Sequence, residues 1–160
     1  MQQYKPDQNF LASLLFYIIL GSNVMAADSA ANQYDPALAS QLGADDYGMR
    51  SYVLVVLKTG PSVIKDKDKR NDIFRGHFAN MKRLAAQKQL ILAGPFMDAG
   101  DSRGLYIFNV ETVEQAKKLV ETDPAVAAGV FVAEYRKYYG SAALMKVNDI
   151  HKTIQKTKIE

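Results

Sequence analysis

Apolar positions along this chain fall into blocks of different spacing, and the spacing assigns the elements. Strict alternation marks a half-buried strand, and recurrence at roughly 3.6 residues marks a helix. Residues 51–58 (SYVLVVLK) are β-branched and apolar and end at Thr59-Gly60-Pro61, which predicts a buried strand closed by a turn. Over residues 71–88, steps of about 100° bring Ile73, Phe74, Met81, Leu84 and Ala85 onto one arc of about 120°, the signature of an amphipathic helix. Residues 90–96 (LILAGPF) and 104–110 (GLYIFNV) read as two strands of a hairpin, separated by the turn-rich stretch 97–103. Thr112 with Gln115 forms a capping-box pattern, and Ala116, Leu119 and Val120 supply the apolar face of a second helix ending near Glu121. Asp123-Pro124 opens a short helical turn closed by Gly129. In residues 130–138, Phe131, Ala133 and Tyr135 alternate with Val132, Glu134 and Arg136, as in a last strand.

The order is βαββαβ. With right-handed crossovers, two βαβ halves build a four-stranded antiparallel sheet with both helices on one face, an α+β sandwich of ferredoxin-like type. The other face carries apolar residues and, with both helices already used, has no layer of its own. A partner sheet is therefore expected there, and with it a homodimer. Beyond Gly140-Ser141, Ala143, Val147, Ile150 and Ile154 recur at helical spacing with Lys146, Lys152, Lys156 and Lys158 elsewhere. This predicts an added C-terminal helix over 141–160, packed on its own domain or its dimer mate with a solvated basic face.

The block at residues 10–20 (FLASLLFYIIL) is different: it is apolar throughout, follows Lys5, and precedes Val24-Met25-Ala26-Ala27. That layout is a signal peptide, with cleavage expected after Ala26. The run is well short of the ~20 apolar residues that span a bilayer, so no stable membrane anchor is expected after cleavage. No cysteine follows it, which excludes lipoprotein processing. The mature chain is expected to be periplasmic or secreted. Residues 27–50 read as a linker or surface arm with at most one short helix, for which Asp35 suits the cap, Pro36 the first turn and Gly43 the end. The domain proper spans residues 51–140.

Composition narrows the chemistry. The absence of cysteine removes thiolate nucleophiles, disulfides, iron–sulfur clusters and cysteine-based zinc sites. The net charge of +3 is spread through mixed runs such as Lys65-Asp66-Lys67-Asp68-Lys69-Arg70, with no basic stripe for nucleic acid. Of the 2 histidines, His151 lies near the chain end and His77 falls inside the apolar arc of the first helix. Too few histidines face the interior for a multi-histidine metal site, and no dinucleotide, phosphate-loop or nucleophile-elbow motif is present; no metal and no cofactor is implied. An imidazole facing a sheet needs a polar partner, and a carboxylate accepting one ring N–H would also fix its tautomer. Asp123, at the end of the neighbouring helix, is the candidate, although it can equally be a plain helix cap before Pro124. Gly94-Pro95, at the end of the second strand, marks either a bulge beside a cavity, and so a ligand-binding edge, or a simple strand ending.

His77-Phe78-Ala79-Asn80-Met81, Leu92-Ala93-Gly94-Pro95-Phe96, Gly104, and Asp123-Pro124 with Gly129 together resemble the YciI-like, or YCII-related, family over residues 51–139. The resemblance implies a dimeric α+β barrel, similar to muconolactone isomerase, with a site histidine on the first helix and an aspartate before the proline. Those roles would fall on His77 and Asp123. A dehydrochlorinase acting on a chlorinated hydroxyquinol is similar to the family. The implied activity is cofactor-independent isomerisation or elimination by acid–base chemistry on a small polar or cyclic molecule. A non-catalytic ligand-binding or structural dimer module is the alternative. The signal peptide and C-terminal helix depart from the family pattern and place a cytoplasmic metabolic role in doubt.

Overall fold

Central strand β1 (Met49–Thr59) organises the domain: its odd positions Val53, Val55 and Leu57 are all buried on one face. In the computed structural model, which describes residues 33–98 and 100–157, β1 lies between β3 (Ser102–Phe108) and β4 (Phe131–Ser141), with β2 (Leu90–Pro95) at the outer side of β3. The order β2-β3-β1-β4 with every pair antiparallel is the ferredoxin-like sheet that the element order predicts. The apolar run at residues 10–20, and with it the expected cleavage point, lies outside the described residues. Among the described residues no helix is long and apolar enough to cross a membrane.

Helices α2 (Lys67–Ala86), α3 (Val113–Val120) and α4 (Pro124–Ala127) cover one face of the sheet. Leu84 of α2 and Ala116 and Val120 of α3 join Val53, Val55, Leu57, Tyr106 and Phe108 in the main core. Burying side chains of this size contributes on the order of 1.5–3 kcal/mol each, so the apolar stripes hold these helices on the sheet. The capping box of α3 is formed as expected: Thr112 accepts from the Gln115 amide and the Gln115 side chain accepts from the Thr112 amide. Helix α2 begins earlier than its apolar pattern, because Asp66 caps it by accepting from the Lys69 amide at 2.8 Å. Its first turn is solvated, so nothing apolar was needed there to mark it.

Other boundaries also differ from the sequence reading. Strand β3 runs from Ser102 to Phe108, two residues earlier than expected, because Ser102 pairs with Lys58 past a bulge and the Thr59 amide donates to the Asp101 carbonyl. Strand β4 continues through Gly140 and Ser141, which pair with Arg50 and Met49. Beyond it, a 3₁₀ turn (Ala142–Lys146) and helix α5 (Val147–Ile154) return to the second face of the sheet. Leu144 and Met145 pack there on buried Tyr52, Ile91 and Ile107, and Asn148 Nδ2 donates to the Leu90 carbonyl at 2.8 Å. The expectation that this face has no layer of its own is thus corrected for one end: the chain itself covers it. Ile150 and Ile154, expected on the packed side of the helix, are exposed. Before β1, helix α1 (Pro36–Leu42) ends at Gly43 (φ +64°), and Arg50 holds its last carbonyl, with Nη1 2.7 Å from the Leu42 oxygen.

Candidate active site

The site grows from a close approach of α2 to α4. A Cβ built on Gly76 would stand 2.9 Å from Cγ of Pro124, so only glycine lets the two helices meet at this distance. The next residue, His77, is 7% exposed and lies against Asp123, which is 1% exposed. Nδ1 of His77 is 2.8 Å from Oδ2 and 3.0 Å from Oδ1 of Asp123. The aspartate is also the cap of α4, where Oδ1 accepts from the Ala125 amide at 2.9 Å. Tyr106 completes the group by donating its hydroxyl to Oδ2 at 3.1 Å. The two sequence readings of Asp123, helix cap and histidine partner, are therefore both realised, one on each side of the carboxylate.

Three donors converge on one buried carboxylate, so the carboxylate serves as acceptor throughout. The neutral imidazole of His77 then carries its proton on Nδ1 and keeps the lone pair on Nε2. Among the described residues Nε2 has no hydrogen-bond partner, and His77 lines a cleft of about 600 Å³ between α2 and the sheet. Burial, and then the charge of Asp123 beside it, push the Tyr106 phenol far above its ordinary value, so it stays a donor at any physiological pH. Aromatic rings hold the imidazole in place: Phe78, Phe131 and Phe74 have centroids 5.3, 5.6 and 6.0 Å away, and Tyr106 stacks at 6.4 Å.

Gly94 and Pro95 also line the cleft, at the end of edge strand β2. The tight backbone approach belongs to Gly104, whose Cβ would fall 2.9 Å from the Gly94 carbonyl oxygen, whereas a Cβ on Gly94 would meet nothing within 4 Å. His151 is exposed and takes no part. Among the described residues no group of three or more His, Asp or Glu side chains gathers as metal ligands would. Tyr106 escaped the sequence reading, since a tyrosine at an inward position of an apolar strand looks like core; its signal was a hydroxyl that a buried ring must satisfy.

A family model for the YCII-related domain matches residues 51–152. The chain belongs to the YCII-related family. An uncharacterized Bacillus subtilis protein, YjpA, is 39% identical over 54 residues, which are 34% of this chain and 61% of that relative. The chain therefore spans about three-fifths of that relative's length. Among solved structures, the 5-chloro-2-hydroxyhydroquinone dehydrochlorinase of Burkholderia phenoliruptrix AC1100, in complex with 2,5-dihydroxybenzoquinone, is similar to this YCII-related chain. It matches with a TM-score of 0.43 and 23% identity over 54% of this chain and 92% of its own.

Proposed function

We propose that this YCII-related protein is an acid–base enzyme of isomerase or lyase type acting on a small polar or cyclic molecule. The observation that carries the reading is the buried Tyr106–Asp123–His77 relay, which leaves Nε2, unpartnered among the described residues, at the wall of the cleft. Nε2 removes a proton from an activated carbon, and the Asp123 carboxylate supports the imidazolium that forms. In an isomerisation the C–H electron pair becomes the new double bond, the original one shifts, and Nε2–H returns the proton to the distal carbon. In an elimination the same pair forms the double bond as the leaving group departs with its own electrons. Acid–base catalysis of this kind contributes about 10²–10⁴-fold, enough for an activated carbon acid and too little for an amide.

Export and dimerisation belong to the same proposal. The apolar block at residues 10–20 ahead of Ala26 supports export to the periplasm or medium. Val132 and Tyr138, 44% and 38% exposed on the sheet face away from the helices, support a second copy on the part of that face that the 3₁₀ turn leaves open. The mass of the exported chain, expected to begin at Ala27, and light scattering of the purified protein test these two parts. For the activity, a panel of small carboxylates and hydroxyquinones in D₂O is followed by NMR. Deuterium incorporation or turnover that is lost in His77→Ala supports the enzyme; ligands that bind the cleft without exchange would show a binding module instead.

A further inference from the structure

Of the arginines among the described residues, Arg50, Arg75, Arg83 and Arg136 each have their guanidinium engaged: with the Leu42 carbonyl and Asn109, with Asp72, with Asn80 and Thr122, and with Glu134 respectively. Lys58 is likewise paired, with Asp101 and Glu134. Among the described residues Arg70 and Arg103 have neither an ion pair nor a side-chain hydrogen bond, and these two line the His77 cleft. Among the described residues no Asp or Glu lines it. The nearest acid of the relay, Asp123, is sealed behind the imidazole with its oxygens committed to His77, Tyr106 and the Ala125 amide. Two solvated guanidinium groups at the rim and no carboxylate between them make the cleft positive, while its walls of Phe74, Phe78, Phe131 and Val63 are apolar.

Each arginine arrives there by a local device. Arg70 stands seven residues before His77 on α2, about two turns and ~10.5 Å along the axis, so the two share one helix face with Phe74 between them. Arg103 is the extra residue of the β1–β3 bulge, where Leu57 pairs with Gly104 but Lys58 pairs with Ser102. A bulge breaks the strict alternation that would otherwise send Arg103 to the face opposite Tyr106, and bulges commonly re-aim a side chain beside a site. The ~10.5 Å between the Arg70 and His77 levels of the helix accommodates one ring or a short unsaturated chain.

We propose that Arg70 and Arg103 select an anionic substrate, a small planar molecule whose carboxylate sits at the two guanidinium groups and whose reacting carbon lies at Nε2 of His77. Planar guanidinium forks match a carboxylate with paired N–H donors. This inference rests on the acid–base reading for the role of Nε2, while the charge selection stands on the arginines alone. The apolar walls take the ring or double bond, and the rim takes the charge.

The test uses the full chain and three probes, benzoate, salicylate and maleate, each beside its primary amide, with binding followed by amide and imidazole NMR shifts. The acids are expected to perturb His77 and the cleft, to bind at least about 10-fold more tightly than the amides, and to weaken as salt is raised. Arg70→Gln and Arg103→Gln, both exposed positions whose substitution leaves the core untouched, are each expected to weaken binding about 5-fold and together about 30-fold, with Arg→Lys variants intermediate. Amides binding as tightly as acids, a double variant binding benzoate unchanged, or no perturbation of the cleft by any acid would overturn the proposal. Proton exchange into a bound acid is read separately: binding at the arginines without exchange keeps the charge selection and removes the catalytic role of His77.

Discussion

Replacing Asp123 by asparagine keeps the shape of the side chain and removes one acceptor and the charge. In the native protein three donors face the carboxylate: the Ala125 amide on Oδ1, the Tyr106 hydroxyl on Oδ2, and Nδ1 of His77 at 2.8 and 3.0 Å from the two oxygens. The backbone amide cannot reverse, so the asparagine oxygen must stay opposite Ala125 and its NH₂ takes the place of Oδ2. There it meets a hydroxyl that can rotate to accept and an imidazole that can shift its proton. The outcome expected is a changed tautomer, with the proton on Nε2 and the lone pair on Nδ1. One charge-assisted hydrogen bond is lost in a site where Asp123 is 1% exposed, which costs about 1.5–3 kcal/mol. For a domain of this size the melting temperature should fall by roughly 5–12 °C. Urea unfolding followed by circular dichroism gives the stability, and long-range ¹H–¹⁵N spectra of the ring give the tautomer. A variant within about 0.5 kcal/mol of the parent that still carries its ring proton on Nδ1 would refute the idea that Asp123 sets the state of His77.

Tyr106→Phe keeps the stacked ring and removes one donor to Asp123, so a loss of about 1–1.5 kcal/mol in urea unfolding is expected, with the His77 tautomer unchanged. The raised pKa of Tyr106 means that the folded state favours the neutral phenol: its stabilisation is complete below the ordinary value near 10 and is lost as pH rises beyond it, by about 1.4 kcal/mol per pH unit. Absorbance at 295 nm should show exposed tyrosines ionising first and Tyr106 only as the fold is lost; its ionisation near 10 in a folded protein would contradict this. Gly76→Ala places a methyl 2.9 Å from the Pro124 ring, and despite alanine's better helix propensity a net loss of about 1–3 kcal/mol is expected, with the His77 ring signals displaced. Thr112→Ala, which removes the capping box of α3, should cost about 1 kcal/mol while leaving those ring signals in place.

Features set by neighbours along the chain were legible in the sequence. The alternation of Val53, Val55 and Leu57, the arc through Phe74, His77, Met81 and Leu84, and the Thr112–Gln115 box follow from backbone periodicity and cap chemistry, which act within a few residues. Together they carry the element order, and the order carries the sheet. The inward phase of His77 was readable for the same reason. Tertiary structure alone decided what meets that ring. Tyr106 reaches Asp123 because β3 pairs with β1 in a register that sets it opposite Val55, and Gly76 admits Pro124 because α2 and α4 pack side by side. The return of Leu144 and Met145 onto Tyr52 and the bulge that lifts Arg103 out of alternation are likewise long-range events. Spacing along a chain records the phase of each side chain about its own backbone; the partner on that side is chosen only when separate elements come into contact.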